Sequence, residues 1–230
     1  VNLLPLDPDE RITAFLPFNG YPEGHHVFMA TAGGIVKKCN LANFSRPRPS
    51  GLRAIVLSED DELVGVGLTE GNSDLLLFSC SGKSVRFSET DVRVMGRGAR
   101  GVRGIALKGG HRLIAMLTVK ERDVSKAVLT ATARGYGKRT VLAEFPRKKR
   151  GGQGVIAIQN GIRNGKVVGA VLVSEEDELM LMTEGGRLVR TRVTEISLLG
   201  RNTQGVRLID LSEQESLISV GLIEEAKEDI

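Results

Sequence analysis

VFMATAGGIVKK, residues Val27–Lys38, reads as two short apolar runs parted by a Gly-Gly pair and closed by two lysines. Each run is of strand length and falls short of the ~10 residues a helix needs. The Gly33–Gly34 pair tolerates the positive φ of a tight hairpin. The same phrase returns three times, as LLLFSCSGKSVRF at Leu75–Phe87, VLTATARGYGKRT at Val128–Thr140 and LMLMTEGGRLVRT at Leu179–Thr191. Its turn glycines, Gly34, Gly82, Gly135 and Gly186, are 48, 53 and 51 residues apart. A second glycine recurs at Gly51, Gly101, Gly154 and Gly205, spaced 50, 53 and 51, and introduces LRAIVL, VRGIAL, VIAIQ and VRLIDL. After a polar turn come ELVGVGL, RLIAML, KVVGAVL and SLISVGL.

Four strand-length runs in each period of about 50 residues are the mark of radial blades, so the expectation is an all-β, propeller-like fold of four-stranded repeats. One blade cannot bury both its faces, and neighbouring blades must supply the core between them. The opening VNLLPL and RITAFLPF fit the second half of the same register. The expected organisation is one domain over residues 1–230: a half repeat at 1–24, then repeats at 25–72, 73–124, 125–177 and 178–230. A start in mid-repeat implies either an absent upstream blade or strands lent between repeats.

Composition closes off other classes. The chain is 41% hydrophobic and 26% charged, which suits a soluble globular protein. Its longest apolar stretches, such as Leu75–Phe78, are far below the ~20 residues of a membrane span, and no secretion signal opens it. Cys39, Cys80, His25, His26 and His111 are scattered without metal-ligand spacing, and the cysteines read as free thiols of a reducing compartment. Gly96–Gly101 satisfies a G-x-G-x-x-G pattern, but VRGIAL after it reads as a strand where a dinucleotide site needs a helix. Gly82-Lys83-Ser84 is a hairpin turn, since Leu77 stands where a phosphate loop needs glycine. The acidic clusters Glu59–Glu62 and Glu175–Glu178 fall at turns, where charge solvates an edge. Tyr21 and Tyr136 sit in turns with no adjacent base. No nucleophile finds a base and an orienter, so neither catalysis, metal nor cofactor is expected.

The formal net charge is only +4, but its distribution is uneven. Windows 43–53, 93–103, 146–156 and 197–207, each around a second glycine, hold 3, 4, 4 and 2 Lys or Arg and no acid. The rest of the chain has 19 cations against 28 acids. Equivalent loops of a radial array share one rim, so the sequence predicts a basic belt on an acidic body. A belt of that kind suits duplex DNA, whose phosphates dominate non-specific affinity through counterion release. No recognition helix is evident and aromatics are only 4%, so the expected mode is backbone contact plus DNA deformability. A half-turn of duplex over ~40 bp costs on the order of 10 kcal/mol, which only many distributed contacts offset.

These residues resemble the C-terminal domain of the DNA gyrase A subunit over nearly the whole chain. The marks are VNLLPL (Val1–Leu6), ERITAFLP (Glu10–Pro17), VFMATAGGIVKK, MGRGARGVRGI (Met95–Ile105), GYGKRT (Gly135–Thr140) and, most distinctive, LVRTRVTEISLLGRNTQGV (Leu188–Val206). The resemblance implies a β-pinwheel, in which a hairpin of each repeat invades the neighbouring blade. It implies a domain that wraps duplex DNA around its perimeter with a positive crossing, so that the rest of the enzyme introduces negative supercoils. The implied partners are duplex DNA, the remainder of the gyrase A subunit, and the gyrase B subunit. The setting is the cytoplasm without membrane contact, and the isolated domain is expected to be monomeric. The family's basic box, Q-(R/K)-R-G-G-(R/K)-G, has a near copy in Lys148-Lys149-Arg150-Gly151-Gly152-Gln153-Gly154, with Lys148 for the Gln and Gln153 for the second basic residue. It reads as a degenerate copy, the full box being expected upstream of Val1. The family's acidic tail goes no further here than EEAKEDI.

The expected phosphate contacts are Arg147, Lys148, Lys149, Arg150, Gly151, Gly152 and Gly154, then Arg97, Arg100 and Arg103, then Arg46, Arg48 and Arg53, then Arg201 and Arg207. Strand-borne Lys37, Lys38, Arg86, Lys138, Arg139, Arg190 and Arg192 form a lower rank. Two alternatives stay open: the related domain of topoisomerase IV, and a propeller-like protein-interaction module.

Overall fold

The computed structural model describes residues 11–48 and 50–223. Four blades follow one another along the chain. Blade one holds β1 (His26–Thr31), β2 (Ile35–Asn40) and β3 (Leu63–Thr69). Blade two holds β4 (Asp74–Ser79) and β5 (Lys83–Ser88), and its repeat then lays down β6 (Val102–Arg103) and β7 (Leu113–Val119). Blade three follows the same order with β8 (Ala127–Thr132), β9 (Tyr136–Val141), β10 (Val155–Ile156) and β11 (Val167–Val173). The last repeat gives β12 (Glu178–Thr183), β13 (Leu188–Arg192), β14 (Val206–Arg207) and β15 (Leu217–Ile223).

The sheet orders are β3-β1-β2-β6, β10-β5-β4-β7, β11-β8-β9-β14 and β13-β12-β15. Each of the first three blades therefore has three strands of its own repeat and a two-residue outer strand from the next. Strands are lent between repeats, always backwards along the chain. The fourth blade has three strands, and β13 is its uncovered edge. The inner strands β3, β7, β11 and β15 pack in succession, each against the next.

The run Leu75–Phe78 shows why the strands lack a polar face. Leu75 and Leu77 join Phe28, Ala30 and Val36 in the core between blades one and two. Leu76 and Phe78 point the other way, to Val128, Phe145 and Ala170 of the next interface. With both faces buried, alternation has no polar phase, as in any doubly covered strand. Leu179 and Leu181 of β12 face blade three, whereas Met182 of the opposite face is 40% exposed.

Two expected strands are not formed. RITAFLPF carries no strand, and Leu16 instead packs on the outward core of blade one beside Val27, Met29 and Leu41. LRAIVL is likewise unpaired, because among the described residues no preceding blade offers it an outer strand; Ala54 and Ile55 cover the same outward core. The readings placed on Val1–Leu6 and on EEAKEDI lie outside the described residues.

Candidate nucleic-acid interface

The basic loops are built in one way. After its outer hairpin strand each repeat makes a short 3-10 helix, at Leu41–Phe44, Glu89–Asp91, Leu142–Glu144 and Val193–Glu195. The chain then crosses to the preceding blade. Bridges Lys38↔Val94, Arg86↔Arg147 and Arg139↔Leu198 run parallel at the start of the loop. The return is antiparallel, with Val36↔Val102, Ser84↔Val155 and Gly137↔Val206. Each of these three loops is thus pinned at both ends to a single outer strand and bows outward between the pins. They occupy one equivalent place on the rim, and do not alternate between sides.

The second glycine marks the return of the loop. Gly101, Gly154 and Gly205 have φ of 102°, 78° and 79°, the left-handed region that side chains disfavour. A Cβ at Gly101 would stand 2.6 Å from the Val36 carbonyl oxygen, and one at Gly205 2.5 Å from that of Gly137. Successive loops also bond to one another. Gly151 N–H donates to Gly104 O at 2.6 Å, Ala106 N–H to Gly152 O at 2.9 Å and Gln159 N–H to Thr203 O at 2.9 Å.

Exposed cations line this rim. Arg100 and Arg103 on the second loop and Lys148 and Lys149 on the third are exposed; Arg46, Arg48 and Arg53 on the first loop are exposed too, though that loop has no outer strand to pin it at the same register. Arg93, counted in its window but not singled out by the sequence ranking, is exposed beside them. Among the described residues no carboxylate lies within ion-pair distance of any of these eight. Other members of the ranking are engaged. Arg147 pairs with Asp74 at 2.6 Å and Arg207 with Asp210 at 3.0 Å. Arg97 and Arg201 are half-buried, the Arg201 amide donates to Glu144 Oε2, and its guanidinium donates to the Ile156 carbonyl. The fourth loop is thus the least cationic stretch of the belt.

Several expected contacts are corrected by the geometry. Arg150 turns its guanidinium inward, donating to the carbonyls of Asp91 and Arg103 at 2.9 Å each. Gly151 engages its amide with the Gly104 carbonyl of the preceding repeat, and Gly154 is required by its φ and its closeness to the Ser84 carbonyl. Gly152 is the least crowded of these three, the nearest atom to a Cβ there being Gly154 N at 4.0 Å. Most of the strand-borne cations are drawn into the structure. Lys38 is buried on Glu89 at 3.1 Å, and Arg86 binds Asp74 at 2.9 Å and the carbonyls of Leu142 and Phe145. Arg139 donates to Ile196 O at 2.7 Å and pairs with Glu175. Arg190 and Arg192 are exposed but paired with Glu178 and Glu195. Lys38, Arg86 and Arg139 lie on strands covered on both sides and bond to carboxylates and carbonyls there, whereas Arg190 and Arg192 are surface cations of the uncovered edge β13, each paired within its own repeat.

Lys37 and Lys138 are fully buried. Lys37 Nζ donates to the carbonyls of Ala54 at 2.7 Å, Ala99 at 2.9 Å and Arg97. Lys138 Nζ donates to those of Gly200 and Arg201. Burial lowers both ammonium pKa values, that of Lys138 to about 8. At the upper edge of the fourth loop, the Arg163 guanidinium lies 4.7 Å from the centre of the Tyr136 ring and that of Arg207 5.9 Å. Hydrogen bonds from Arg207 and Arg163 lower the Tyr136 pKa. Among the described residues no cluster of three His, Cys, Asp or Glu could hold a metal, and no helix is long and apolar enough to cross a membrane.

A family model described as DNA gyrase C-terminal domain, beta-propeller, matches residues 25–70, 73–120, 126–174 and 177–224. The chain belongs to this DNA gyrase C-terminal domain family. The DNA gyrase A subunit of Salmonella typhimurium is 52% identical over 229 residues, covering 100% of this chain and 26% of that protein. The chain therefore spans about a quarter of the length of such relatives. A solved structure of a DNA gyrase A C-terminal domain superposes with a TM-score of 0.85 at 27% identity, over 96% of this chain and 73% of that one. The C-terminal domain of DNA topoisomerase IV superposes with a TM-score of 0.89 at 30% identity, over 97% and 69%. The two solved domains share the blade plan described above, and the whole-length sequence likeness lies with the gyrase A subunit.

Proposed function

We propose that the chain is the non-catalytic DNA-binding and DNA-wrapping element of a gyrase A subunit. In this role it bends duplex DNA along its rim so that the whole enzyme introduces negative supercoils. The observation that carries this reading is the row of basic loops at one register on successive outer strands, with five exposed cations, Arg93, Arg100, Arg103, Lys148 and Lys149, facing no carboxylate among the described residues. A row with that spacing meets a duplex that runs past every blade. Its partners in this reading are duplex DNA, the remainder of the gyrase A subunit, and the gyrase B subunit. It acts as one copy per gyrase A chain in the cytoplasm, and needs no metal or cofactor of its own.

Salt titration tests it. The slope of log K against log salt for a random-sequence duplex is expected to be several units, with ~0.9 for each phosphate contact. Lys148→Ala with Lys149→Ala flattens it by roughly 2, whereas adding Arg150→Ala changes the slope little, because that guanidinium bonds to carbonyls. A flat dependence in the unaltered chain would instead mark a protein-interaction module.

A further inference from the structure

We infer that Lys37 and Lys138 are positioning residues for DNA contact: each buried ammonium gathers the carbonyls of a basic loop inward and so turns that loop's cations and amides toward the duplex. The inference rests on the DNA reading above.

The argument begins with where the two side chains lie. Lys37 sits between the pins Lys38↔Val94 and Val36↔Val102, at the middle of the loop that bows out over β2. Its three acceptors come from two loops, Ala54 from the first and Arg97 and Ala99 from the second. Lys138 has the same place between Arg139↔Leu198 and Gly137↔Val206, and grips Gly200 and Arg201. Neither ammonium has a carboxylate within ion-pair distance among the described residues. A buried charge without a counter-ion is costly and persists only where hydrogen bonds compensate it. Here the compensation is loop backbone, so the loop cannot relax outward without leaving the ammonium unsatisfied.

The blade between them supplies an internal comparison. At the equivalent register β5 carries Val85, and the space under the third loop is a cavity of about 210 Å³ lined by Val85, Lys148, Lys149 and Gly154. A short apolar side chain leaves open what the lysines fill. Loops two and four are therefore held from within by an ammonium, whereas loop three, which bears the box-like Lys148–Gly154, has no lysine beneath it and is tied by its two pins, the Arg150 guanidinium and the backbone bonds of Gly151 and Gly152 to loop two.

The test combines affinity with amide exchange on the whole chain. Lys37→Met keeps length and loses the donors. Its amides at 95–103 are expected to exchange faster, with β3 still protected, and the salt slope to flatten by roughly 2–3 as Arg97, Arg100 and Arg103 lose register at ~0.9 each. Because lysine acts through the loop, Arg97→Ala and Arg100→Ala should then add little to Lys37→Met. Val85→Met, which fills the cavity of the blade without a lysine, should leave the slope unchanged. Strict additivity, or unaltered exchange at 95–103, overturns the inference. If Lys37→Met also exposes β3, the same comparison is made with Lys138→Met against Arg207→Ala. A flat salt dependence in the unaltered chain would sink the DNA reading alone, since the exchange result still decides whether the lysines hold the loops.

Discussion

Two glycines at one repeat position separate conformation from contact. Gly51 and Gly154 have φ of 71° and 78°. A Cβ at Gly51 meets nothing within 4 Å, whereas one at Gly154 collides with the Ser84 carbonyl. Gly51→Ala should cost only the left-handed backbone energy, ~1–2 kcal/mol. Gly154→Ala should cost clearly more, because β5 or the loop must also move; denaturant midpoints of the two variants measure the difference. Equal costs would mean that the third loop lifts off its strand freely. The recurrence of this glycine was plain in the sequence, but its reason was not. Closeness to phosphate was the natural reading of a Gly-rich basic loop, and the structure shows closeness to the chain's own carbonyls for Gly154, Gly101 and Gly205.

Strands and hairpin turns were legible from the Gly34, Gly82, Gly135 and Gly186 period, since run length and turn chemistry are local properties. The partner of each fourth strand was not, because two residues such as Val102–Arg103 carry no pattern that names a host. Nor could alternation sort the cations of β2, β5 and β9, whose two faces are both covered. Phase points to solvent only when one face is wet. The joint between an element and its loop is also a packing matter. Phe145 follows the third 3-10 helix, is buried, and meets Phe78 edge-to-face at 5.9 Å between ring centres. Phe145→Ala should lower stability by about 3–5 kcal/mol in denaturant unfolding, as for other large buried rings. A loss under ~1 kcal/mol would show that Phe145 is not part of the core between blades two and three.

Across the molecule the basic loops of successive repeats follow one another along the rim, and a polyanion running past them must bend. Many weak contacts supply what a single site cannot, and elastic cost rises with the arc covered. Closing a relaxed circle on the bound chain tests the wrap, and the positive crossing that the family resemblance implies is expected as a positive shift in linking number. Lys148→Ala with Lys149→Ala should reduce that shift; binding without any shift would mean contact along the rim but no wrap. The belt itself was legible, because four acid-free windows at one period need no coordinates to be seen. Its weak end was legible in the count of two for the last window and in Asp210 three residues beyond Arg207, but not in Glu144, which reaches the Arg201 amide only in three dimensions.

The backward loan of β6, β10 and β14 bears on how such a chain is made. As residues leave a ribosome, none of the first three blades can be finished when its own repeat has emerged; each waits for the following fifty or so to deliver its rim. Each newly synthesised repeat thus completes its elder, so the array matures one unit behind its own synthesis and a stalled chain always ends in a bare edge.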